Sequence, residues 1–393
     1  MTVDVTLSHM PSGILHRRTW SNDSWRHAKL SCIVAIPACN EATRIASCLA
    51  SLATQNATES CGVLVFVNGT SDATFRRAVA HGRRHQQPLC VIDAQLPRER
   101  RDAGTARCVA MQLALSCIDG EQGCVFTTDA DSMAPPGWLA TYRGLLSQGY
   151  DAVAGVAAIA PDDANDMPRS LKRRELLEQR YAACLDALEC HIDPIPHDPW
   201  PRHYHASGAN LAMSKRCLTA LGKLAWPAVG EDRFVVAQAE AHGMRVRHDV
   251  SCQVLTSGRI FGRARGGMAD TMRHRILEPE SPCDERLEAV ERAYFRARVR
   301  RQCRDLHAVQ EWHADEAMAL ALRLRLDHGQ WARTMRNPCF GAAWAQLERL
   351  SPRLHREPIT PGQLAHQCSR AEMLLSRLGA PLLAQQPQMA AQP

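Results

Sequence analysis

Up to Ile159 the chain repeats one pattern: a short apolar run, a polar turn, then a stretch with helical spacing. The apolar runs are 31–37, 62–67, 89–93, 123–128 and 150–159. Helices are predicted over 42–53, 72–85, 104–117 and 135–146, the last with Pro135 in its first turn. Runs that are apolar on both faces do not suit a sheet with one face in water. They predict an α/β fold with a mainly parallel central sheet, helices on both faces and right-handed crossovers. Such a sheet binds its ligands beyond the carboxyl ends of its strands. The polar clusters Asn40-Glu41, Asn68 to Asp72 and Asp129 to Asp131 all fall at such ends.

After Ile159 the pattern loosens. An arginine-rich helix is predicted over 170–188, then a proline- and histidine-rich stretch over 193–201. A Gly-Ala-Asn turn and an apolar helix occupy 206–222, a helix follows over 231–242, and 245–255 is strand-like. Beyond Pro282 strand signals vanish, and helices are predicted over 285–304, 310–326, 342–350 and 361–378. The expected organisation is an irregular leader (1–29), an α/β domain (30–280, in halves 30–159 and 160–280), a helical appendage (281–380) and a flexible tail (381–393).

Composition narrows the class. With 45% apolar and 22% charged residues, the chain has enough for a sizeable core and is neither wholly disordered nor a long coiled coil. Only four of the 47 basic residues are lysines, and the formal net charge is +6. That balance suits phosphorylated small molecules, nucleic acid or acidic lipid, and equally a compositional bias toward arginine, so position has to decide. The sixteen cysteines show no CxxC pair and no zinc-finger spacing, and Cys32, Cys48, Cys108 and Cys117 sit in apolar or helical runs as small hydrophobes. Reduced thiols, the lack of an h-region near the N-terminus and the lack of an 18-residue apolar window point to a cytoplasmic protein without a transmembrane helix.

Asp129-Ala130-Asp131 directly follows an apolar run. Two carboxylates at a strand end suit one hard divalent cation, Mg²⁺ or Mn²⁺, which can neutralise a diphosphate leaving group. Glu231-Asp232 opens a helix after Pro227 and Gly230, where a carboxylate serves as general base or simply caps the first turn.

The order of motifs resembles the family 2 glycosyltransferases of the GT-A fold, in particular their bacterial, non-processive members. The motifs are Val34-Ala-Ile-Pro-Ala-Cys-Asn-Glu41, Val67-Asn-Gly-Thr-Ser-Asp72, Gly104-Thr-Ala-Arg107 and Thr128-Asp-Ala-Asp131. Ser207-Gly-Ala-Asn-Leu-Ala-Met213, Gly230-Glu-Asp-Arg-Phe234 and Thr256-Ser-Gly-Arg259 continue them, so that the resemblance spans residues 30–265. It implies a nucleotide-binding half (30–159) and an acceptor half (160–280). Pro37, Asn40, Glu41, Asn68 and Asp72 would hold base and ribose, with Arg107 near the nucleotide. Asp131 would be the main metal ligand, with Asp129 orienting ribose or metal and His248 a candidate extra ligand. Gly208, Ala209 and Asn210 would line the sugar and acceptor subsite. Asp232, beside Glu231, would be the catalytic base, and Arg259 would hold the donor diphosphate. The second loop lacks the usual Asp-Asp-Gly-Ser pattern, which leaves the base open between UDP- and GDP-linked donors.

The implied activity is metal-dependent, inverting transfer of a sugar from a nucleoside-diphosphate sugar to a hydroxyl of a saccharide, lipid-linked or small-molecule acceptor. Processive synthases of the family carry transmembrane helices and a Gln-x-x-Arg-Trp signature, which this sequence lacks. Peripheral contact with the inner face of a membrane and a homodimer are compatible with this reading. A dinucleotide-dependent oxidoreductase would need a glycine fingerprint after the first strand, and Pro-Ala-Cys-Asn-Glu stands there instead. A sugar nucleotidyltransferase would need a glycine-rich activating loop at the same place. A binding module for nucleic acid or an anionic membrane surface is the non-enzyme alternative. Its feature would be the arginine-rich helix 285–304, but seven arginines against five acids between residues 284 and 310 read as a mixed-sign, solvated helix, and no nucleic-acid partner is expected. His203 and His205 flank the acceptor region as pocket or structural histidines. Trp138 and Trp226 would either line the acceptor side or pack, and Arg259, Arg263 and Arg265 form a basic, glycine-rich stretch able to close over a diphosphate.

Overall fold

The computed structural model describes residues 13–55, 61–222, 227–262, 266–309 and 312–380. The leader's first twelve residues, the tail, Trp226, Arg263 and Arg265 therefore lie outside the described residues. The chain divides into two compact units, one of residues 1–166, 205–237 and 246–271, the other of 167–204, 238–245 and 272–393.

The first unit is an eight-stranded mixed sheet with helices. Its strands are β1 (Leu15–Ser21), β2 (Cys32–Ala38), β3 (Cys61–Asn68), β4 (Leu89–Gln95), β5 (Cys124–Thr127), β6 (Ala152–Ile159), β7 (Leu211–Ser214) and β8 (Val246–Thr256), in the order β1-β4-β3-β2-β5-β7-β6-β8. The pairs β2/β3, β3/β4, β2/β5 and β6/β8 are parallel, whereas β1 and β7 run antiparallel to their neighbours. Every residue of β3 is buried, as expected of a strand covered on both faces. Val34, Ile36, Val63, Val65 and Phe126 form one core with Leu49 and Leu52 of the helix Ile45–Ala53 and with Trp138 and Tyr142 of the helix Trp138–Ser147.

Two features depart from the sequence reading. The leader is not irregular throughout: β1 pairs along β4, Arg18 bonds Asp93, and Asn22 caps the short helix Asp23–His27 by accepting from the Trp25 amide. Its outward residues are exposed, so β1 carries no apolar signature; it is held by the backbone groups that β4 would otherwise leave open. The second departure is β7, where a turn followed directly by a helix was expected; only the helix Lys215–Leu221 follows it. Four residues are too few to declare a strand, and pairing on both edges makes up the difference.

The second unit is helical. The long helix Arg169–Ile192 packs with the helices Val290–Val309 and Leu364–Leu378, so the expected second half of the α/β domain gives up this helix to the helical unit. Tyr181, Leu185, Leu188, Leu287 and Leu364 build one core, while Trp331, Trp344, Leu320 and Leu347 build another. The helix Val290–Val309 is solvated on one face only: Arg296 is 4% exposed and bonds both Glu288 and Glu348. No described helix is long and apolar enough to cross a membrane. The cysteines are free thiols, most of them buried.

Candidate active site

The candidate site lies in the first unit, where β2, β3 and β5 end. After β5 the chain turns through Asp129, and the Ser132 amide donates to the Asp129 carbonyl at 3.0 Å. Met133 then exchanges two backbone hydrogen bonds with Leu255 on β8 (2.7 and 3.0 Å). This short bridge fixes where Asp131 stands and brings it to Arg259, just past β8, at 3.1 Å.

Arg259 forks onto Glu41, donating to Oε2 at 2.9 Å and to Oε1 at 2.5 Å. Glu41 is buried after β2 and its amide donates to the Thr74 hydroxyl. The Arg259 loop is itself tied down, because the Gly258 amide donates to Asp163, which also accepts from Arg44. Burial opposes ionisation of Asp163, but the Gly258 amide and Arg44 outweigh it and hold its carboxyl below the usual range. Asp131 shows the opposite balance. Burial and the neighbouring charges of Asp129 and Glu41 push it up to about 6, against the pull of Arg259 and Arg44.

Asp129 belongs to a second group. Arg107, buried on the helix Ala103–Ser116, donates to Asp129 Oδ1 (2.9 Å), Glu231 Oε1 (2.9 Å), the Gly208 carbonyl (2.7 Å) and the Thr127 hydroxyl (3.1 Å). Two glycines permit this. A Cβ on Gly104 would meet the Pro227 carbonyl at 2.6 Å, and one on Gly208 would meet Arg107 Nε at 2.3 Å. Asp102 caps the helix by accepting from the Thr105 amide. Burial raises the Glu231 carboxyl pKa, with Asp232 adding to the rise and Arg107 opposing it. Asp232, half-buried beside it, accepts from the Gly208 amide at 3.0 Å and from the Arg233 amide at 2.7 Å. Asp129, Glu231 and Gly208 are thus gathered around one guanidinium, with Asp232 tied to the group through the Gly208 amide.

The remaining expected residues are placed as follows. Asn40 sits after β2 in the left-handed region (φ 53°), and its side chain accepts from the Thr70 hydroxyl and the Ser71 amide. Asp72 accepts from the Ala42 amide and from the Thr74 amide and hydroxyl; burial works against ionisation, yet these bonds hold its carboxyl at about 2. Its visible task is to lock the β2 and β3 loops together. Asn68 is buried and accepts from the Leu96 amide. Pro37 lies near the end of β2 and Ala209 is buried beside Gly208.

Two expectations are corrected. Asn210 is fully buried: it accepts from Trp138 Nε1 and the Tyr142 hydroxyl and donates to the Val156 and Cys252 carbonyls. With all its polar capacity used inside the sheet, it has none for a sugar. Trp138 accordingly packs beneath the site with Phe126 and Tyr142. His248 stands level with Ala154, Leu211 and Thr127 across the ladder, three strands from β5 and so about 14 Å away. It does not join the acid pair. His205 is exposed, and His203 is buried in the helical unit. Sequence reading missed Thr127, Arg44 and Asp163, whose roles depend on partners 81 to 119 residues away.

Asp129 and Asp131 supply hard oxygen donors, and the raised pKa of Asp131 marks negative charge that a cation would relieve, so the residues fit Mg²⁺ or Mn²⁺. Among the described residues no three acidic, histidine or cysteine side chains form a complete cage, so water and phosphate oxygens would fill the other positions.

Residues 33–195 match the family described as Glycosyl transferase family 2. That match covers part of the chain, and the mixed α/β sheet flanked by helices is consistent with the GT-A fold. No curated protein matches the chain. Similar solved structures include a mannosyltransferase from Pyrobaculum calidifontis in complex with GDP-Man and Mn²⁺ (17% identity, 89% of this chain and 80% of that one, TM-score 0.41). Glucosyl-3-phosphoglycerate synthase from Mycobacterium tuberculosis is another (19%, 63% and 78%, 0.40), as is S. aureus TarS 1-349 in complex with UDP (14%, 81% and 92%, 0.42).

Proposed function

We propose that this protein transfers a sugar from a nucleoside-diphosphate sugar to an acceptor hydroxyl, with inversion and with a divalent metal. The observation that carries the reading is the gathering of Asp129, Glu231 and Gly208 around Arg107, with Asp232 on the Gly208 amide, beside Asp131 and Arg259, at the ends of parallel strands. The donor diphosphate would lie between Asp131 and Arg259, its base and ribose toward the Asn40 and Asp72 loops. Asp129 and Asp131 would hold Mg²⁺ or Mn²⁺, which supplies positive charge to the leaving diphosphate when bound.

Asp232 is the base. Its half-exposed carboxylate is aimed by the Gly208 amide, whereas Glu231 is committed to Arg107. Asp232 takes the acceptor's hydroxyl proton as its oxygen bonds the anomeric carbon, and the bond from that carbon to the diphosphate breaks on the opposite face. Arg259 follows the developing charge by exchanging its forks on Glu41 and Asp131 for phosphate oxygens. Non-processive transfer in the cytoplasm fits the same reading.

The test is a panel of UDP- and GDP-linked sugars, with and without Mn²⁺, read as release of nucleoside diphosphate. Turnover should require the metal and fall by about 100-fold or more in Asp131→Ala and Asp232→Asn. Unchanged turnover in both variants would refute the assignment.

A further inference from the structure

Arg259 stands in a closed circuit of contacts within the first unit. Its guanidinium forks onto Glu41 and reaches Asp131. Three residues past Glu41, Arg44 Nη1 lies 3.2 Å from Asp163 Oδ2. The same oxygen accepts from the amide of Gly258, the chain neighbour of Arg259, at 2.8 Å. The circuit therefore closes on Asp163, in the short helix Pro161–Asn165 that follows β6.

The circuit treats the side chain of Arg259 and its backbone differently. The side chain is 24% exposed and held only by carboxylates, so it can change partners. The backbone cannot follow it. Pairing of β6 with β8 runs to Ile159 and Thr256, and the Ala160 amide extends it by donating to the Thr256 carbonyl at 2.8 Å. There the ladder ends, and Asp163 takes over. Besides the Gly258 amide it bonds the Ser257 side chain, whose hydroxyl accepts from the Arg259 amide at 3.3 Å. Gly258 is buried, and a Cβ there would meet Ile159 Cγ2 at 2.5 Å and Asp163 Cβ at 3.0 Å, so this turn lies flush against the end of β6. A buried amide deprived of its acceptor must turn toward water, and Arg259 would turn with it.

We propose that Asp163 is a positioning residue for the donor diphosphate: it fixes the backbone from which Arg259 reaches the phosphates, so that only the guanidinium has to move. The proposal rests on the sugar-transfer reading, in which Arg259 leaves Glu41 and Asp131 for phosphate oxygens. Asp163 does not touch the donor itself, because its carboxylate is spent on Gly258, Ser257 and Arg44. Nor is general stability its main effect. The side chains of Arg44 and Asp163 are 37% and 24% exposed, and a pair so open to water adds little to folding. Its value lies in placement, where an error of about 1 Å can cost on the order of 100-fold.

The test is calorimetric titration of UDP and of GDP, each with Mn²⁺, into the full chain. Arg259→Gln and Asp163→Ala should each weaken the nucleotide that binds the wild type by about tenfold or more. Asp163→Asn keeps an oxygen for the Gly258 amide and should restore most of the affinity. The double variant decides. Because Asp163 acts through Arg259, adding Asp163→Ala to Arg259→Gln should cost nothing further. Losses that multiply would show that Asp163 acts on the fold at large and would overturn the proposal, as would wild-type affinity in Asp163→Ala. Should Asp163→Ala fail to fold, Asp163→Ser, too short to reach the amide, enters the same cycle. Wild-type affinity in Arg259→Gln, or no binding of either nucleotide to the wild type, refutes the placement of the diphosphate and this proposal with it. Failure confined to the Asp163 variants overturns this proposal alone.

Discussion

Arg107 concentrates the residue-scale chemistry of the site. One side chain answers two carboxylates, a carbonyl and a hydroxyl, and each acid depends on it for neutralisation. Arg107→Met should therefore leave Glu231 buried and unpaired, at a cost of about 3 kcal/mol or more in denaturant unfolding, and should abolish turnover. Gly208→Ala reaches the same hub from the other side. Its Cβ would stand 2.3 Å from Arg107 Nε, so the guanidinium must move, and a loss of about 1–3 kcal/mol is expected by the same measurement. Sequence reading saw Arg107 as a contact for the nucleotide, because motif order shows which residues share a strand end and not which of them already satisfy one another.

At the scale of elements, the sheet is legible where strands are buried on both faces and obscure where they are not. β2 to β6 and β8 declare themselves by apolar runs, whereas β1 and β7 do not. β1 exists to cover the β4 edge, with Trp20 packed on the core and Arg18 both paired with Asp93 and stacked over Phe75. Deleting residues 1–21 should open that edge. The expected outcome is a lower thermal midpoint and light scattering that grows with protein concentration. A truncated chain with unchanged midpoint and scattering would show β1 to be dispensable. Most longer helices were read, although Met268–Leu277 and His328–Met335 were not, and which unit a helix serves was not legible. The 169–192 helix looks like a continuation of the α/β pattern, and it is its packing on 290–309 and 364–378 that assigns it to the helical unit.

For the molecule as a whole, many of the arginines enter ion pairs, and those of the helical unit have specific electrostatic consequences. In the helical unit, Asp186 is pushed up to about 8 by burial, against the pull of Arg202 and Arg286. Burial also works against the charged form of Glu189, yet Arg286, Arg202, Arg300 and Arg356 prevail and hold it at about 2. The two act with opposite sign. Asp186 binds its proton more tightly folded than unfolded, so its contribution is complete below its ordinary 3.8 and is lost as pH rises through 8. Glu189 contributes above its ordinary 4.5 and loses that contribution as pH falls through 2. Asp186→Asn should therefore flatten the decline of stability between pH 4 and 8, measured as urea midpoints across that range, and leave the acid limb in place. A decline that persists in the variant would place its origin elsewhere.

By itself the sequence determined the α/β class of the first unit and which polar residues close its apolar runs. Apolar runs of strand length can only be buried strands, and polar residues closing them can only gather at one edge of a parallel sheet. Only the tertiary structure decided what each of those residues is free to do. Asn210, within a motif that promised a sugar contact, is fully spent on Trp138, Tyr142 and two carbonyls. Asp232, in the neighbouring motif, keeps a half-exposed carboxylate. Hydrogen-bond capacity is finite, and whether an atom's capacity is already used depends on partners tens of residues away, which no local pattern encodes.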